Sequence, residues 1–166
     1  MRKRSKTGET LLNILYPRRC PVCHDIAAPR GQRICTKCRE KLVPVQGPRC
    51  CICSKPLEDP QEEYCGDCRR ISHHFKKGIG IFPYNPIIQN SLYQLKYGQR
   101  QEYGVFYGEF AALYAQKEIA QWKIEMLIPV PLHRRRQEKR GYNQAEIIAR
   151  SIGDKLDIPV NIRSLY

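Results

Sequence analysis

The 166-residue chain has no long hydrophobic run. A membrane-spanning helix needs about 20 consecutive apolar residues, and no stretch of the sequence approaches that length. The apolar run at residues 11–16 is interrupted by Asn13. It is too short for the core of a signal peptide, and no small-residue cleavage site follows it. We therefore expect a cytoplasmic protein without a membrane span, in which thiols stay reduced.

Acidic residues are few, since the chain has 16 Asp and Glu against 29 Lys and Arg and a formal net charge of +13. This balance favours polyanionic partners such as nucleic acid, an anionic membrane surface or phosphorylated metabolites. Cysteine, in contrast, is abundant, with nine residues, but it does not occur after Cys68. The change in composition predicts a cysteine-rich module followed by a domain of another kind.

Eight of the cysteines form four Cys-x-x-Cys pairs within an internal repeat of 30 residues. RCPVC at residues 19–23 returns as RCCIC at 49–53, and CTKCR at 35–39 returns as CGDCR at 65–69. Two such pairs supply four thiolates to one tetrahedral zinc ion, so the sequence predicts two structural zinc sites. The predicted ligands are Cys20, Cys23, Cys35, Cys38, Cys50, Cys53, Cys65 and Cys68.

The spacing leaves several alternatives open. The first pair joins either the second pair, in sequential order, or the third pair, in a crossed arrangement. A single occupied metal site and a disulfide-stapled extracellular module are further alternatives. His73 and His74 follow the last pair, where they are either spare ligands or ordinary linker histidines.

The second half of the chain alternates between strand-like and helix-like patterns. Strands are predicted at residues 78–84, 126–130 and 160–162, and helices at 86–98, 103–114 and 143–156. Gly104 and Gly108 lie one helical turn apart and would let a neighbouring element approach closely. This order predicts an α/β domain with a parallel sheet.

A strongly basic loop is predicted between the strand at 126–130 and the helix at 143–156. Ligands bind at the carboxyl ends of strands in open parallel sheets, and a helix N-terminus favours anions. Arginine side chains suit phosphate oxygens, and Gly141 allows close backbone approach. A pyrophosphate-like ligand explains this charge; the alternative is a solvated loop or a non-specific nucleic-acid patch.

The chain resembles the ComF family of competence proteins. The resemblance spans residues 10–163 and rests on the doubled ribbon after LLNILYPRRCPVC, on YNPIIQNSLYQLKYGQR, on LIPVPLHRRRQEKRGYNQAEIIA and on their order. It implies a type I phosphoribosyltransferase-like fold behind the ribbons. The expected organisation is a basic segment with a short helix at 1–17, a double zinc ribbon at 18–72 and part of the transferase-like domain at 73–166.

The resemblance also implies a ligand, partners and a role. In the family, the loop after the strand meets the pyrophosphate of phosphoribosyl pyrophosphate. The residues carried over as phosphate ligands are His133, Arg134, Arg136, Arg140, Gly141, Asn143, Gln144 and Lys96. Single-stranded DNA and proteins of the competence machinery are the further partners implied, with a role in natural transformation. The alternative is a zinc-ribbon module that binds nucleic acid or a partner without catalysis.

One feature of the family is missing from these 166 residues. Two acidic residues followed by a Thr-Gly-rich turn, which would hold the ribose phosphate and hydroxyls, do not occur. Catalysis needs the ribose held as well as the pyrophosphate. We therefore assign no catalytic residue and expect no transferase activity from this chain by itself, with Mg²⁺ and phosphoribosyl pyrophosphate bound together only in a complete domain.

Overall fold

A computed structural model describes residues 16–165 of the chain. These residues contain seven helices and divide into two compact units. The smaller unit is Leu42–Asn85, and the larger joins the described residues up to Lys41 with those from Pro86 onward. The short helix predicted within residues 1–17 falls almost wholly outside the described residues.

The first two helices are short and belong to the cysteine repeats. Helix α1 is Thr36–Arg39 and helix α2 is Gly66–Arg70. Each begins directly after a cysteine with extended backbone, Cys35 or Cys65, and each carries the last cysteine of its repeat on its single turn. The short helix therefore brings the two thiols of a Cys-x-x-Cys pair to the same side of the backbone.

The larger unit is mainly helical outside its ribbon. Its helices are α3 (Pro86–Tyr97), α4 (Gln101–Tyr114), α5 (Gln116–Gln121), α6 (Arg134–Arg140) and α7 (Gln144–Leu156). Proline suits the first position of α3, because its missing N–H would have no helical partner there. In α7, the Asn143 side chain accepts a hydrogen bond from the Ala145 N–H at 3.0 Å, which is an N-cap. Among the described residues, no helix has the length and apolar character needed to cross a bilayer.

The core of the larger unit lies where α4 packs against α7. A Cβ atom added to Gly104 would lie 2.9 Å from Cγ2 of Ile147, and one added to Gly108 would lie 2.6 Å from the Ile148 carbonyl oxygen. Real side chains do not tolerate such distances, so the two glycines are what lets the helices approach. Tyr103, which is fully buried, packs in the same core.

The predicted parallel sheet is wrong. Within residues 16–165, parallel pairing is limited to a single bridge between Leu127 and Val160, held by the 2.9 Å bonds from Leu127 N to Pro159 O and from Asn161 N to Leu127 O. Prolines 129, 131 and 159 carry no N–H to donate, so they interrupt a ladder on both sides of this bridge.

The segment at 78–84 does not supply a strand to this bridge either. Two of its backbone bonds lie within the smaller unit, from Val45 N to Ile81 O at 2.9 Å and from Gly78 N to Ile52 O at 2.6 Å. A strand-like sequence pattern shows only that a segment can be extended, and a sheet also requires neighbouring strands. Outside its ribbon, the larger unit is therefore helical rather than α/β.

The predicted basic loop is also wrong, because residues 134–140 form helix α6. Arginine, glutamine, glutamate and lysine are all favourable helix formers. His133 caps the start of α6, with its Nδ1 accepting from the Arg135 N–H at 3.3 Å. Gly141 ends the helix in the left-handed conformation with φ 81°, which glycine adopts at little cost. The charges in this segment are therefore arranged on a helix.

Candidate metal centres and anion-binding cleft

The eight repeated cysteines form two separate clusters. The first quartet is Cys20, Cys23, Cys35 and Cys38, and the second quartet is Cys50, Cys53, Cys65 and Cys68. Within each quartet all four sulfur atoms lie within 4.8 Å of one another. The structure thus groups the Cys-x-x-Cys pairs in sequential order.

The sulfur positions fit a tetrahedral zinc ion. The Sγ atoms of Cys23 and Cys35 are 3.8 Å apart, and those of Cys53 and Cys65 are 3.7 Å apart. A tetrahedron with zinc–sulfur bonds of about 2.3 Å has sulfur–sulfur edges of about 3.8 Å. All nine cysteines are free thiols rather than disulfides. Four thiolates bound to one zinc would hold each ribbon together where there is little apolar core.

The backbone of the two ribbons repeats with the same shift of 30 residues. The hydrogen bond from His24 N to Cys20 O, at 2.9 Å, returns from Ser54 N to Cys50 O at 2.9 Å. Both donor residues lie in the left-handed region, with φ 63° and φ 64°. The antiparallel bridge between Arg19 and Ile26 returns between residues 49 and 56. The sequence repeat is therefore a repeat of local structure.

The cysteine thiols of the two quartets do not all ionise alike in the metal-free chain. Burial, together with the neighbouring sulfur atoms of Cys23 and Cys20, raises the pKa of Cys38 to about 12. Burial alone would also raise the pKa of Cys50, but hydrogen bonds from the backbone N–H groups of Cys53 and Cys65 outweigh it and lower the pKa to about 6. Because zinc binds thiolates, its binding has to release the protons of the cysteines whose pKa is raised.

Tyr103 of helix α4 forms hydrogen bonds with the first ribbon. The Tyr103 hydroxyl donates to the carbonyl oxygen of Cys20 at 3.0 Å, and Nδ1 of His24 lies 3.0 Å from the same hydroxyl. Burial, and then the positive charge of Arg100, lower the pKa of His24. Because the hydroxyl gives its single hydrogen to the Cys20 carbonyl, the Nδ1–H of His24 donates to the Tyr103 oxygen.

A second contact joins the same two elements. Arg33, which follows the first Cys-x-x-Cys pair, forms a two-bonded ion pair with Glu109 of α4. Its Nε and Nη2 atoms lie 2.5 and 2.9 Å from the two carboxylate oxygens. Both side chains are about three-quarters buried, at 27% and 28% exposure. Such a pair fixes orientation as well as charge.

A basic cleft opens between the end of α3 and helix α6. It has a volume of about 330 Å³. Its lining residues are Lys96, Tyr97, Gln99, Arg136, Lys139 and Arg140. Four of the six are lysine or arginine and none is acidic, so the lining of the cleft concentrates positive charge.

Contacts behind the cleft hold its wall in place. The Arg140 guanidinium lies over the Tyr97 ring, 5.4 Å from its centroid, and its Nη1 donates to Oε1 of Gln144. The hydroxyl of Tyr142, which is buried, donates to the Leu95 carbonyl oxygen near the end of α3. The turn between α6 and α7 is thereby tied to α3, the helix that carries Lys96.

The residues predicted as phosphate ligands divide into two groups. Lys96, Arg136 and Arg140 line the cleft. The others have other contacts: His133 caps α6, Gly141 ends it, Asn143 caps α7 and Gln144 accepts from Arg140. Arg134 pairs with Glu138 at 3.1 Å and lines a separate depression. The Nδ2 group of Asn143 also donates to the Val130 carbonyl oxygen at 3.0 Å.

Sequence reasoning missed three lining residues, Tyr97, Gln99 and Lys139. The signal for Lys139 was available in its spacing from Arg136. Residues three and four apart share a face of a helix, so residues 136, 139 and 140 project together once this segment is helical. Tyr97 follows the predicted ligand Lys96, but a tyrosine at a helix end carries no charge signal.

Residues 11–69 match the family of double zinc ribbon domains. The described residues of this segment, which contain both cysteine quartets, form a double zinc ribbon. Together with the two cysteine quartets, the match confirms the prediction of two structural zinc sites. The zinc ions would supply folding free energy rather than an open coordination position, since four protein thiolates fill a tetrahedral site.

The chain is also homologous to competence proteins. It is 27% identical to competence protein ComFC of Bacillus subtilis over 125 residues, a match that covers 71% of this chain and 50% of that protein. It is 28% identical to competence protein F of Haemophilus influenzae over 146 residues, a match that covers 85% of this chain and 62% of that protein. A DNA utilization protein of Salmonella typhimurium is 24% identical over 142 residues, covering 84% and 62%.

The chain thus spans half to about three-fifths of the length of the curated relatives it matches. No solved structure shows a significant match to it. These similarities confirm the resemblance to ComF-type proteins that the doubled ribbon and the segments at residues 84–100 and 127–149 suggest in the sequence.

Proposed function

We propose that the chain acts in DNA uptake or DNA utilization and that its basic cleft binds a phosphorylated ligand. The observation that carries the proposal is the grouping of Lys96, Arg136, Lys139 and Arg140 around one cleft without an acidic neighbour in its lining. The names of the relatives, competence and DNA utilization proteins, support the biological role. The free thiols of both ribbons support a reducing compartment, the cytoplasm.

Electrostatics favours an anion of several charges. Two unit charges about 7 Å apart repel by roughly 0.6 kcal/mol in water, and by more where water is partly excluded. Four cations around one cleft repel one another in this way unless a bound anion compensates their charge. Surface cations that have no such role are usually spread apart or paired, as Arg134 is with Glu138.

The geometry of the donors favours phosphate oxygens. Arg136 and Arg140 offer planar groups that bind two oxygens at once, while lysine acts as a point charge. Arg140 is already held by Tyr97 and Gln144, so less side-chain freedom is lost on binding. A volume of about 330 Å³ lies at the lower end of small-molecule sites. We infer a pyrophosphate-bearing ligand, with phosphoribosyl pyrophosphate as the specific candidate.

Calorimetric titration of pyrophosphate into the zinc-loaded full chain, at constant ionic strength, tests this proposal. Arg136→Ala and Arg140→Ala should each weaken binding by about tenfold or more, the effect of losing a charge-assisted hydrogen bond. Arg134→Ala is the matched control, because it removes the same charge from the same helix but outside the cleft. Equal losses in all three variants, or no saturable binding by the unchanged chain, would contradict a defined site.

Single-stranded nucleic acid is a second candidate ligand, favoured by two exposed aromatic rings. Tyr93 and Tyr97 lie one turn apart on α3, with ring centroids 5.0 Å apart and exposures of 58% and 65%. Proteins that bind single strands combine a basic groove with aromatic rings on which bases stack. Both features meet at Tyr97, which lines the cleft.

One variant and one salt series distinguish a pyrophosphate-bearing ligand from single-stranded nucleic acid. Tyr93→Ala should weaken binding of an oligothymidine, since stacking on one ring contributes about 1–3 kcal/mol, and should leave pyrophosphate binding unchanged. Binding of the oligonucleotide should also fall steeply with salt. An oligonucleotide affinity that neither Tyr93→Ala nor Arg136→Ala reduces would remove the second candidate.

A further inference from the structure

A histidine lies against the second metal centre. Nε2 of His73 is 3.2 Å from Sγ of Cys68, the last cysteine of the second quartet. The imidazole is half-buried and packs against the ring of Phe75, with centroids 4.8 Å apart. His73 is not part of the group of four mutually close ligand atoms. It therefore lies beside a complete tetrahedral donor set.

The first metal centre has no such residue at the corresponding place. In the repeat of 30 residues that relates the ribbons, the position equivalent to His73 is Val43. A valine side chain cannot donate a hydrogen bond. The last cysteine of the first quartet, Cys38, is 7% exposed, whereas Cys68 is only partly buried. The last cysteine of the quartet is thus more exposed in the second centre, where an imidazole lies next to it.

The chemistry of a zinc-bound thiolate decides the direction of this contact. A thiolate has lone pairs and no hydrogen, so Nε2 must carry the hydrogen and donate it. A zinc ion with four thiolates has an excess of two negative charges, and hydrogen bonds to the sulfur atoms spread this charge. A donated hydrogen bond also makes the sulfur less available to protons and electrophiles.

We propose that His73 is an outer-sphere partner of the second zinc centre, donating a hydrogen bond from Nε2 to the Cys68 thiolate and slowing loss of the metal there. The imidazole lies against a partly buried cysteine of a ribbon that forms its own compact unit. This role is independent of any ligand in the basic cleft.

Zinc affinity and cysteine labelling of the full zinc-loaded chain test the proposal together. His73→Ala should lower the affinity for one of the two zinc ions by about 10- to 100-fold, as measured against a competing chelator. This is the usual effect of losing an outer-sphere partner. N-ethylmaleimide should then modify Cys68 faster, with Cys38 unchanged, as read by peptide mass spectrometry. His73→Gln keeps an N–H donor at a similar reach and should restore most of the affinity.

The neighbouring His74→Ala variant is the matched control, since it removes an exposed imidazole one residue away. Equal zinc affinity in His73→Ala and the unchanged chain would overturn the proposal. So would a His73→Gln variant as weak as His73→Ala, because packing rather than hydrogen bonding would then explain the effect. A cobalt-substituted chain whose absorption shows a nitrogen ligand in one site would also overturn it, since His73 would itself bind the metal.

Discussion

The two zinc ribbons have the same local backbone but different surroundings. Each has the same turn after its first Cys-x-x-Cys pair, the same antiparallel bridge and the same one-turn helix. The first ribbon belongs to the unit that contains α3 to α7, whereas the second is a compact unit of its own. The difference lies in a few side chains that the repeat does not preserve.

Two of these side chains attach the first ribbon to α4. His24 reaches the Tyr103 hydroxyl and Arg33 pairs with Glu109, and their counterparts in the second ribbon are Ser54 and Glu63. A zinc-held backbone can therefore be duplicated and then given a different role by changes outside its metal ligands. The first copy supports the helices that carry the basic cleft, and the second is left with its own surface and its His73 contact.

Replacing one zinc ligand in each ribbon in turn should show the largest difference between the two ribbons in their effect on the helical unit. Cys35→Ser should lower the melting temperature of the helical unit, because zinc binding contributes on the order of 10 kcal/mol, comparable with the whole stability of a domain. The equivalent Cys65→Ser should lose one zinc but keep the helical melting transition. Elemental analysis and circular dichroism measure both quantities.

Equal losses of helical stability in the two variants would contradict the difference between the ribbons. Full retention of two zinc ions by a Cys35→Ser, Cys65→Ser double variant would contradict the metal assignment itself.

Tyr103→Phe tests the contact between the first ribbon and α4 without touching a metal ligand. The variant removes a hydroxyl that donates to the Cys20 carbonyl and leaves the His24 Nδ1–H without its acceptor. We expect a loss of about 1–2 kcal/mol in the free energy of unfolding by urea. Tyr93→Phe is the control, since Tyr93 is exposed. A similar, negligible effect in both variants would mean that Tyr103 contributes only through packing.

Arg33→Ala should have the smallest effect of the three. The ion pair with Glu109 is two-bonded but still about a quarter exposed, so we expect a coupling of about 0.5–1 kcal/mol in a double-mutant cycle with Glu109→Ala. Glu63→Ala changes the equivalent position of the second ribbon and should leave the stability of the helical unit unchanged. A coupling indistinguishable from zero would mean that, of the two contacts between the first ribbon and α4, the Tyr103 contact alone contributes to stability.

The sequence predicts best what is local. The Cys-x-x-Cys spacing predicted the four pairs, their repeat and two zinc sites, whereas the sequential joining of the pairs came from the structure. Helix ends were also predictable, since Pro86 and Asn143 are strong start signals. The close approach of α4 and α7 could be anticipated from Gly104 and Gly108, because a glycine pair one turn apart suits close helix packing.

The errors concern what depends on distant partners or on competing preferences. The extended segments at 78–84 and 126–130 have strand-like composition, but prolines and the lack of neighbouring strands leave only the Leu127–Val160 bridge. The basic segment was predicted as a loop because of its charge, although its residues favour helix. As a result, the face shared by Arg136, Lys139 and Arg140 was not seen, and the contact of His73 with Cys68 could not be read from spacing.

Hydrogen exchange of α4 is the most direct test of the claim that the first ribbon is part of the helical unit. Amide protection across Gln101–Tyr114 is measured by mass spectrometry in the zinc-loaded chain, in Cys35→Ser and in Cys65→Ser. The account predicts that protection falls in Cys35→Ser and stays at the level of the unchanged chain in Cys65→Ser. Protection that survives in Cys35→Ser, or falls equally in both variants, would contradict it.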